Sequence, residues 1–370
     1  MRISFLNLKR QHQELEAEVL PALERALASG VYILGSEVTA FEEEWASYCR
    51  TGFCASVASG TDALTLALIA SGAVRQGQDD EVITSPLTAG YTALAIVNAG
   101  ATPVFADING QTCTLDPRAV ETAVTPRTRA IVPVHLYGQM ADMTAIYEVA
   151  SRHDLFVIED AAQAHGASST ASNVGGRGRI AAYSFYPTKN LGAYGDGGAV
   201  VAEDADVIER VKLLRQGGHL PGLQAKTAGR SSRLDEIQAA VLSVKLRHLN
   251  RWNLRRKDIA RQYDEALRDV TGLAIPFARK SSDHVYHLYV IQHLMRDQLR
   301  AHLERNGIET QIHYPFLLHQ QPLFRHKATR MLPVAEEVGR RILSLPLYPQ
   351  LTDNEVQRVI DGVRRFEFKI

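Results

Sequence analysis

Cysteine is nearly absent from this chain: Cys49, Cys54 and Cys113 are the only three among 370 residues. Three thiols cannot all pair, and none stands in a CxxC spacing, which disfavours both a disulfide framework and a zinc site. Excess charge is missing too. Lys+Arg and Asp+Glu each total 41, so no global field draws in nucleic acid or an anionic membrane, and any charged ligand must be held by local geometry. No apolar run approaches the roughly 18 residues of a membrane span, and Met1 to Arg10 lacks a signal-peptide core. Pro/Ser-rich linkers, like-charge blocks and fixed-period repeats are also absent. These gaps predict a cytoplasmic globular protein with reduced thiols and no metal, binding neither nucleic acid nor membrane.

What the chain does contain is an alternation. Between about residue 52 and residue 202, short β-rich apolar runs separate helical stretches: Glu81 to Ile83, Thr102 to Ile108, Arg129 to Leu136, Leu155 to Glu159, Ala181 to Tyr186 and Gly198 to Val201. That order predicts an α/β fold whose mostly parallel central sheet is flanked by helices. Ligands of such sheets collect beyond the carboxyl ends of the strands. From Leu234 to about Arg268 there is neither Gly nor Pro, and Leu234, Ile237, Val241, Val244, Leu246, Leu249 and Trp252 approximate helical spacing. We set a lobe boundary inside this segment, giving a large domain over 1–250 with its N-terminal segment and a smaller C-terminal α+β domain over 251–370. In the latter, His284 to Gln292 predicts a strand, and Arg296 to Asn306 and Asn354 to Phe366 predict helices. The basic cluster Lys245, Arg247, Arg251, Arg255, Arg256, Lys257 and Arg261 reads as a solvated helix face, given the zero net charge.

Three segments carry chemistry-bearing residues. Ser59-Gly60-Thr61-Asp62 follows the small-residue run Cys54 to Ala58 and opens the apolar stretch Leu64 to Ile69. Free N–H groups at such a helix start, with the Thr61 hydroxyl, suit a phosphate; a simple cap is the alternative. The apolar strand Leu155 to Ile158 ends in Glu159-Asp160, followed by Gln163 and His165. A carboxylate at that edge suits a metal, an oriented histidine or a proton on a heterocyclic nitrogen, or caps the next helix. Lys189 stands in Tyr186-Pro187-Thr188-Lys189-Asn190-Leu191-Gly192, with Gly195, Gly197 and Gly198 close behind. Such a lysine is either a solvated surface residue or a Schiff-base amine. Taken together, phosphate anchor, pyridinium partner and lysine, in chain order 60, 160, 189, make the parts list of a pyridoxal phosphate site.

Several stretches then resemble one family, the DegT/DnrJ/EryC1/StrS sugar aminotransferases, over nearly the whole length. They are Tyr32-Ile33-Leu34-Gly35 with Phe41-Glu42, Ser59 to Leu64, Pro133 to Gln139, Glu159 to Gly166, Ser184 to Gly198, Ser232 to Ala240, and His313-Tyr314-Pro315. The resemblance implies the type I pyridoxal phosphate-dependent aminotransferase fold and a homodimer that shares its active sites. It implies that Lys189 is the Schiff-base lysine and that Asp160 pairs with the pyridine nitrogen. Gln163 would bond the ring hydroxyl. Gly60, Thr61, Asp62 and Ser184 would hold the phosphate, and His165 would orient Asp160 unless it merely packs. Tyr32, Tyr186, His313, Tyr314 and His319 become the candidates for the sugar-nucleotide side. The implied reaction moves an amino group from glutamate or glutamine to C3 of a dTDP-linked 3-keto-6-deoxyhexose, with C4 amination as the alternative, in the making of a surface polysaccharide or a glycosylated natural product.

Departures from the family pattern are equally specific. Ser231 occupies the position of an Asn that reaches the phosphate from the neighbouring subunit. Ala89 stands where an aromatic commonly stacks on the cofactor ring, with Tyr91 two residues on. The loop Ser168 to Arg179 lacks the usual Tyr, and Gly222-Leu223 replaces a basic-aromatic pair. Related sugar dehydratases carry His where Lys189 stands, which argues against that reaction. A non-catalytic regulatory relative would lose the lysine or its acid, and both are present.

Overall fold

Two N-terminal helices, α1 (Leu8–Ala28) and α2 (Ser36–Cys49), lead into the alternating region of this computed structural model, which describes residues 2–75, 77–169, 174, 180–220, 224–278, 282–325 and 330–366. There, β1 (Phe53–Val57), β2 (Glu81–Thr84), β3 (Thr102–Phe105), β4 (Thr128–Val132) and β5 (Phe156–Asp160) are separated by α3 (Gly60–Ala70), α4 (Gly90–Ala99), α5 (Pro117–Ala123) and α6 (Met143–Arg152). After the two-residue β6 (Ser168–Ser169) come β7 (Ile180–Ser184), β8 (Gly198–Ala202) and α7 (Ala205–Leu214). The seven longer strands form one sheet in the order β1-β8-β7-β5-β4-β2-β3. Only β8 runs against the rest, pairing antiparallel with β1 and β7, while β2, β3, β4, β5 and β7 pair parallel.

Helices cover both faces, which is why the strands read as unbroken apolar runs. Successive side chains point to opposite faces. Val82, Ala130, Val132, Ala182 and Val200 pack with Ala63, Leu64 and Leu66 of α3. Their neighbours Ile83, Ile131, Ala181 and Val201 pack with Phe41 and Trp45 of α2 and with Leu242. The order of the strands puts the carboxyl ends of β1, β5 and β7 near one another.

A short hairpin, β9 (His219–Leu220) with β10 (Gln224–Ala225), precedes the long helix α8 (Glu236–Leu267). The chain then adds β11 (Leu273–Ala274), β12 (Ser282–Asp283), β13 (Tyr289–His293), α9 (Arg296–Arg305), α10 (Pro333–Arg341), β14 (Ile342–Leu345) and α11 (Asp353–Arg364). Strands β11, β13 and β14 make a separate antiparallel sheet over a core that includes Tyr263, Tyr289, Ile291, Leu303, Leu345, Val356 and Val359. Ile3 sits in this same core, and Arg10 pairs with Glu355 at 2.7 Å, so the first residues pack on the C-terminal lobe. Among the described residues, no helix is long and apolar enough to cross a membrane, and no cluster of three metal-ligating side chains occurs.

Two expectations change here. The strand expected from His284 begins only at Tyr289, because Tyr286 has a left-handed φ of 44°, which a strand does not accommodate. The basic cluster of α8 is not uniformly solvated. Arg247, Arg251 and Arg261 are exposed and paired with Glu18, Glu14, and Asp258 and Glu265. Lys245 and Arg256, however, are buried. Eleven residues are close to three helical turns, so the two share the inward face. Arg256 donates to the carbonyls of Tyr286 at 3.2 Å and Leu347 at 3.0 Å. The helix continues unbroken through residue 250, so α8 joins the lobes as one rigid element.

Candidate active site

Strand β1 ends two residues before Ser59, whose extended backbone and side chain start α3. Ser59 Oγ accepts from Asp62 N at 3.1 Å, and Ser59 O accepts from Ala63 N at 2.9 Å. Helix geometry leaves the first N–H groups without intrahelical partners, and among the described residues none takes those of Gly60 and Thr61. Any Cβ on Gly60 would lie 2.5 Å from the Cβ of Ser184. Glycine therefore lets the helix start sit against the end of β7, with the Ser184 hydroxyl beside it. The Asp62 carboxylate is already committed, to Ser232 Oγ at 2.8 Å and Arg230 at 3.1 Å, and its N–H to Ser59 Oγ, so the donors that remain for an anion are the N–H groups of Gly60 and Thr61. Ser231 is exposed and pairs with Gln216 through the backbone.

Asp160 ends β5 and is 8% exposed. Its Oδ2 accepts from Thr92 Oγ1 at 2.8 Å and its Oδ1 from Ala162 N at 3.2 Å. Backbone bonds fix the strand end on both sides, from Asp160 N to Pro133 O and from His135 N to Asp160 O, each 3.0 Å. One residue earlier, the fully buried Glu159 bonds His135 Nε2 at 2.7 Å. His135 Nδ1 accepts from Ala141 N at 3.2 Å, so the ring proton is on Nε2 and Glu159 accepts it. Thr92 was not among the residues singled out from sequence. Its hydroxyl also meets that of Thr88, just ahead of α4, at 3.2 Å.

His165 does not orient Asp160. Its Nε2–H donates to Ser184 O at 2.9 Å, and its ring packs among Trp45, Tyr183 and Phe185. Burial pushes the imidazole down to about 3, with the Lys189 charge adding to the effect, so it is neutral and braces the backbone that carries Ser184. The packed alternative is the one the structure adopts. Gln163 is held at both ends: its Oε1 accepts from Tyr137 N at 2.7 Å and its Nε2 donates to Tyr314 Oη at 2.9 Å.

Lys189 lies in the turn after β7. Its N–H donates to Tyr186 O at 2.9 Å, and Ala193 N closes the loop on Phe185 O at 2.8 Å. A Cβ on Gly192 would meet Pro187 O at 2.4 Å, so the turn is too tight for any other residue there. Burial pushes the Lys189 amine down to about 8, against the pull of the Asp160 carboxylate. About one amine in ten is then uncharged at pH 7.

The residues expected to face substrate divide into two groups. Tyr32 and Tyr186 are 52% and 51% exposed. Tyr314 is held by Gln163, and His313 Nδ1 meets Ser344 Oγ at 2.9 Å, with burial and the Lys189 charge pushing its imidazole down to about 4. His319 is buried, and its Nε2 faces Glu336 of α10 at 3.2 Å, while its Nδ1 has no partner among the described residues. Ala89 precedes α4 as its N-cap, and Tyr91 is 68% exposed. Residues 170–173 and 175–179 of the loop begun at Ser168, and Gly222 and Leu223, lie outside the described residues.

Three comparisons bear on this arrangement. The model of the DegT/DnrJ/EryC1/StrS aminotransferase family matches residues 13–364. The chain is 46% identical over 371 residues to a dTDP-3-amino-3,4,6-trideoxy-alpha-D-glucose transaminase of Streptomyces venezuelae, covering 100% of this chain and 97% of that protein. It is 43% identical over 370 residues to a pleiotropic regulatory protein of Geobacillus stearothermophilus, covering 99% of each. Among solved structures, that of S. venezuelae DesV in complex with a ketimine intermediate superposes with a TM-score of 0.95 at 46% identity, covering 98% of both chains.

Proposed function

Because the chain belongs to the DegT/DnrJ/EryC1/StrS aminotransferase family and has its type I fold, we propose that it moves the amino group of glutamate or glutamine to C3 of a dTDP-linked 3-keto-6-deoxyhexose, with pyridoxal phosphate as cofactor. The observation that carries the reading is the meeting of Lys189, Asp160 and the turn Ser59–Asp62 at one edge of the sheet. The residues fit the group: a helix start with two N–H groups to offer, a glycine that no side chain can replace, a buried carboxylate and an amine depressed by burial. When bound, pyridoxal phosphate supplies a carbonyl that amines attack and a ring that takes up the electron pair left when a C–H bond breaks.

Each residue then has a stated task. Gly60 and Thr61 N–H, the Thr61 hydroxyl and Ser184 Oγ hold the phosphate, with the α3 dipole favouring its charge. Asp160, fixed by Thr92 and Ala162, holds a proton on the ring nitrogen. Gln163 directs its amide toward the ring hydroxyl from a position set by Tyr137 and Tyr314. Lys189 offers an amine that holds a proton at Nζ or gives it up near neutral pH. Tyr32, Tyr186, His313 and Tyr314 receive the sugar nucleotide, and His319 supports them through α10. In this reading the chain is a homodimer, the exposed Tyr32 and Ser231 serve the neighbouring subunit, and the enzyme works in the cytoplasm. The large domain over 1–250 binds the cofactor, its first residues reaching across to pack on the small domain over 251–370.

C3 is favoured over C4 by the 3-amino product named for the S. venezuelae relative. The presence of both Lys189 and Asp160 favours catalysis over a purely regulatory role. The test is the visible absorbance spectrum of the protein with pyridoxal phosphate, beside Lys189→Ala, followed by glutamate and then the 3-keto or 4-keto sugar nucleotide. A Lys189-dependent band that glutamate removes, with amine formed on the 3-keto sugar, is expected. No band overturns the cofactor assignment, and turnover of the 4-keto sugar alone overturns C3.

A further inference from the structure

One face of α8 grips the turn that carries Lys189 at three points. Gln238 Oε1 accepts from Tyr194 N at 2.8 Å, Lys245 Nζ donates to Gly192 O at 2.7 Å, and Asn253 Oδ1 accepts from Asn190 Nδ2 at 2.9 Å. The three side chains stand seven and eight residues apart, close to two helical turns each, and they meet the turn in reverse chain order. Lys245 is the central one. It is 1% exposed, its Nζ lies 4.3 Å from the centroid of the Tyr194 ring, and the carbonyl it holds belongs to the glycine that no other residue can replace. A surface lysine would find water; this one is closed in between ring and carbonyl. Asn190 is tied further to Val285 O at 3.1 Å and His287 Nδ1 at 3.2 Å, so the turn is fastened on the side of the small lobe as well.

We propose that Lys245 is a positioning residue for Lys189: by bridging the Gly192 carbonyl and the Tyr194 ring, it keeps the turn closed and limits the water that reaches the Lys189 amine. The inference rests on Lys189 being the lysine that carries the cofactor. Burial holds Lys245 itself near 7, in keeping with a closed setting. The turn would open if Gly192 O lost its donor, and water reaching Lys189 would return its amine toward the ordinary lysine range.

The experiment reads the apoprotein. Lys189 is acylated with acetic anhydride across a pH series and its modification is followed by peptide mass spectrometry in wild type, Lys245→Met, Gln238→Ala and Ser243→Ala. The groups facing Lys189, namely Asp160 of β5, His165, His287 and His313, are untouched in all four. In Lys245→Met the pH of half-modification is expected to rise by about one unit, a roughly tenfold loss of free amine at pH 7. A folded Lys245→Met protein with the wild-type midpoint overturns the proposal. Should that variant fail to fold, Gln238→Ala decides: a smaller rise supports the proposal and no rise overturns it. Ser243, on the same helix, has a hydroxyl without a partner among the described residues, and an equal rise in Ser243→Ala also overturns it. Failure of Lys189 to carry the cofactor would show separately, as the missing Lys189-dependent absorbance band.

Discussion

Glu159, Asp160, Gln163 and His165 fall within seven consecutive positions, are all buried, and each has a hydrogen-bonded side chain. Tyr32 and Tyr186, which we propose as the outer, sugar-nucleotide side of the site, are each more than half exposed, as is Tyr91. The inner wall is fixed by the fold before any ligand arrives, as preorganised catalysis requires. The side chains proposed for the outer wall are left free by the fold, and in the proposed reading substrate or the second subunit orders them. Chemistry and recognition are therefore supported by different physical means.

The contrast can be broken most strongly at Asp160. Asp160→Ala is expected to lower kcat by about 1,000-fold while the cofactor still binds through the Ser59–Asp62 turn; steady-state kinetics beside an absorbance titration with pyridoxal phosphate checks both halves. Thr92→Val removes one donor from a buried carboxylate, and kcat is expected to fall about tenfold with little change in KM. Lys189 sharpens the comparison through pH. Its amine reacts only when uncharged, so capture of pyridoxal phosphate by the apoprotein, followed by stopped-flow absorbance, should rise about tenfold per pH unit below about 8 and level off above it. The smallest effect belongs to the outer wall. Tyr186→Ala is expected to raise KM for the sugar nucleotide a few-fold with kcat nearly unchanged, measured by initial rates over a range of substrate.

How much of this was legible in the sequence differs between the same two walls. The apolar runs Leu155 to Glu159 and Ala181 to Tyr186 end within one and two residues of the observed strand ends Asp160 and Ser184, because strands buried on both faces carry a dense local signal. The uninterrupted stretch from Leu234 to Arg268 likewise marked α8, observed over Glu236–Leu267. Thr92 and the partner of His165 were not legible, since each depends on which elements fold together rather than on neighbours in the chain. Lys245 and Arg256 were misread with their basic neighbours for the same reason: helical phase tells which residues share a face, but not which face is buried. Even a strong strand-like run failed at Tyr286, where one left-handed residue delays β13 to Tyr289.

Arg256 has a kinematic consequence. Its guanidinium reaches carbonyls at Tyr286 and Leu347, while Asn190, beside Lys189, is bonded to Val285 O. A swing of the C-terminal lobe about α8 would have to break these buried bonds together, each costly to leave unmade. The lobe is thus coupled to the helix like a gear keyed to its shaft. In the proposed reading, access to the site then falls to the exposed Tyr32 and Tyr186, while Lys189 and Asp160 keep their places.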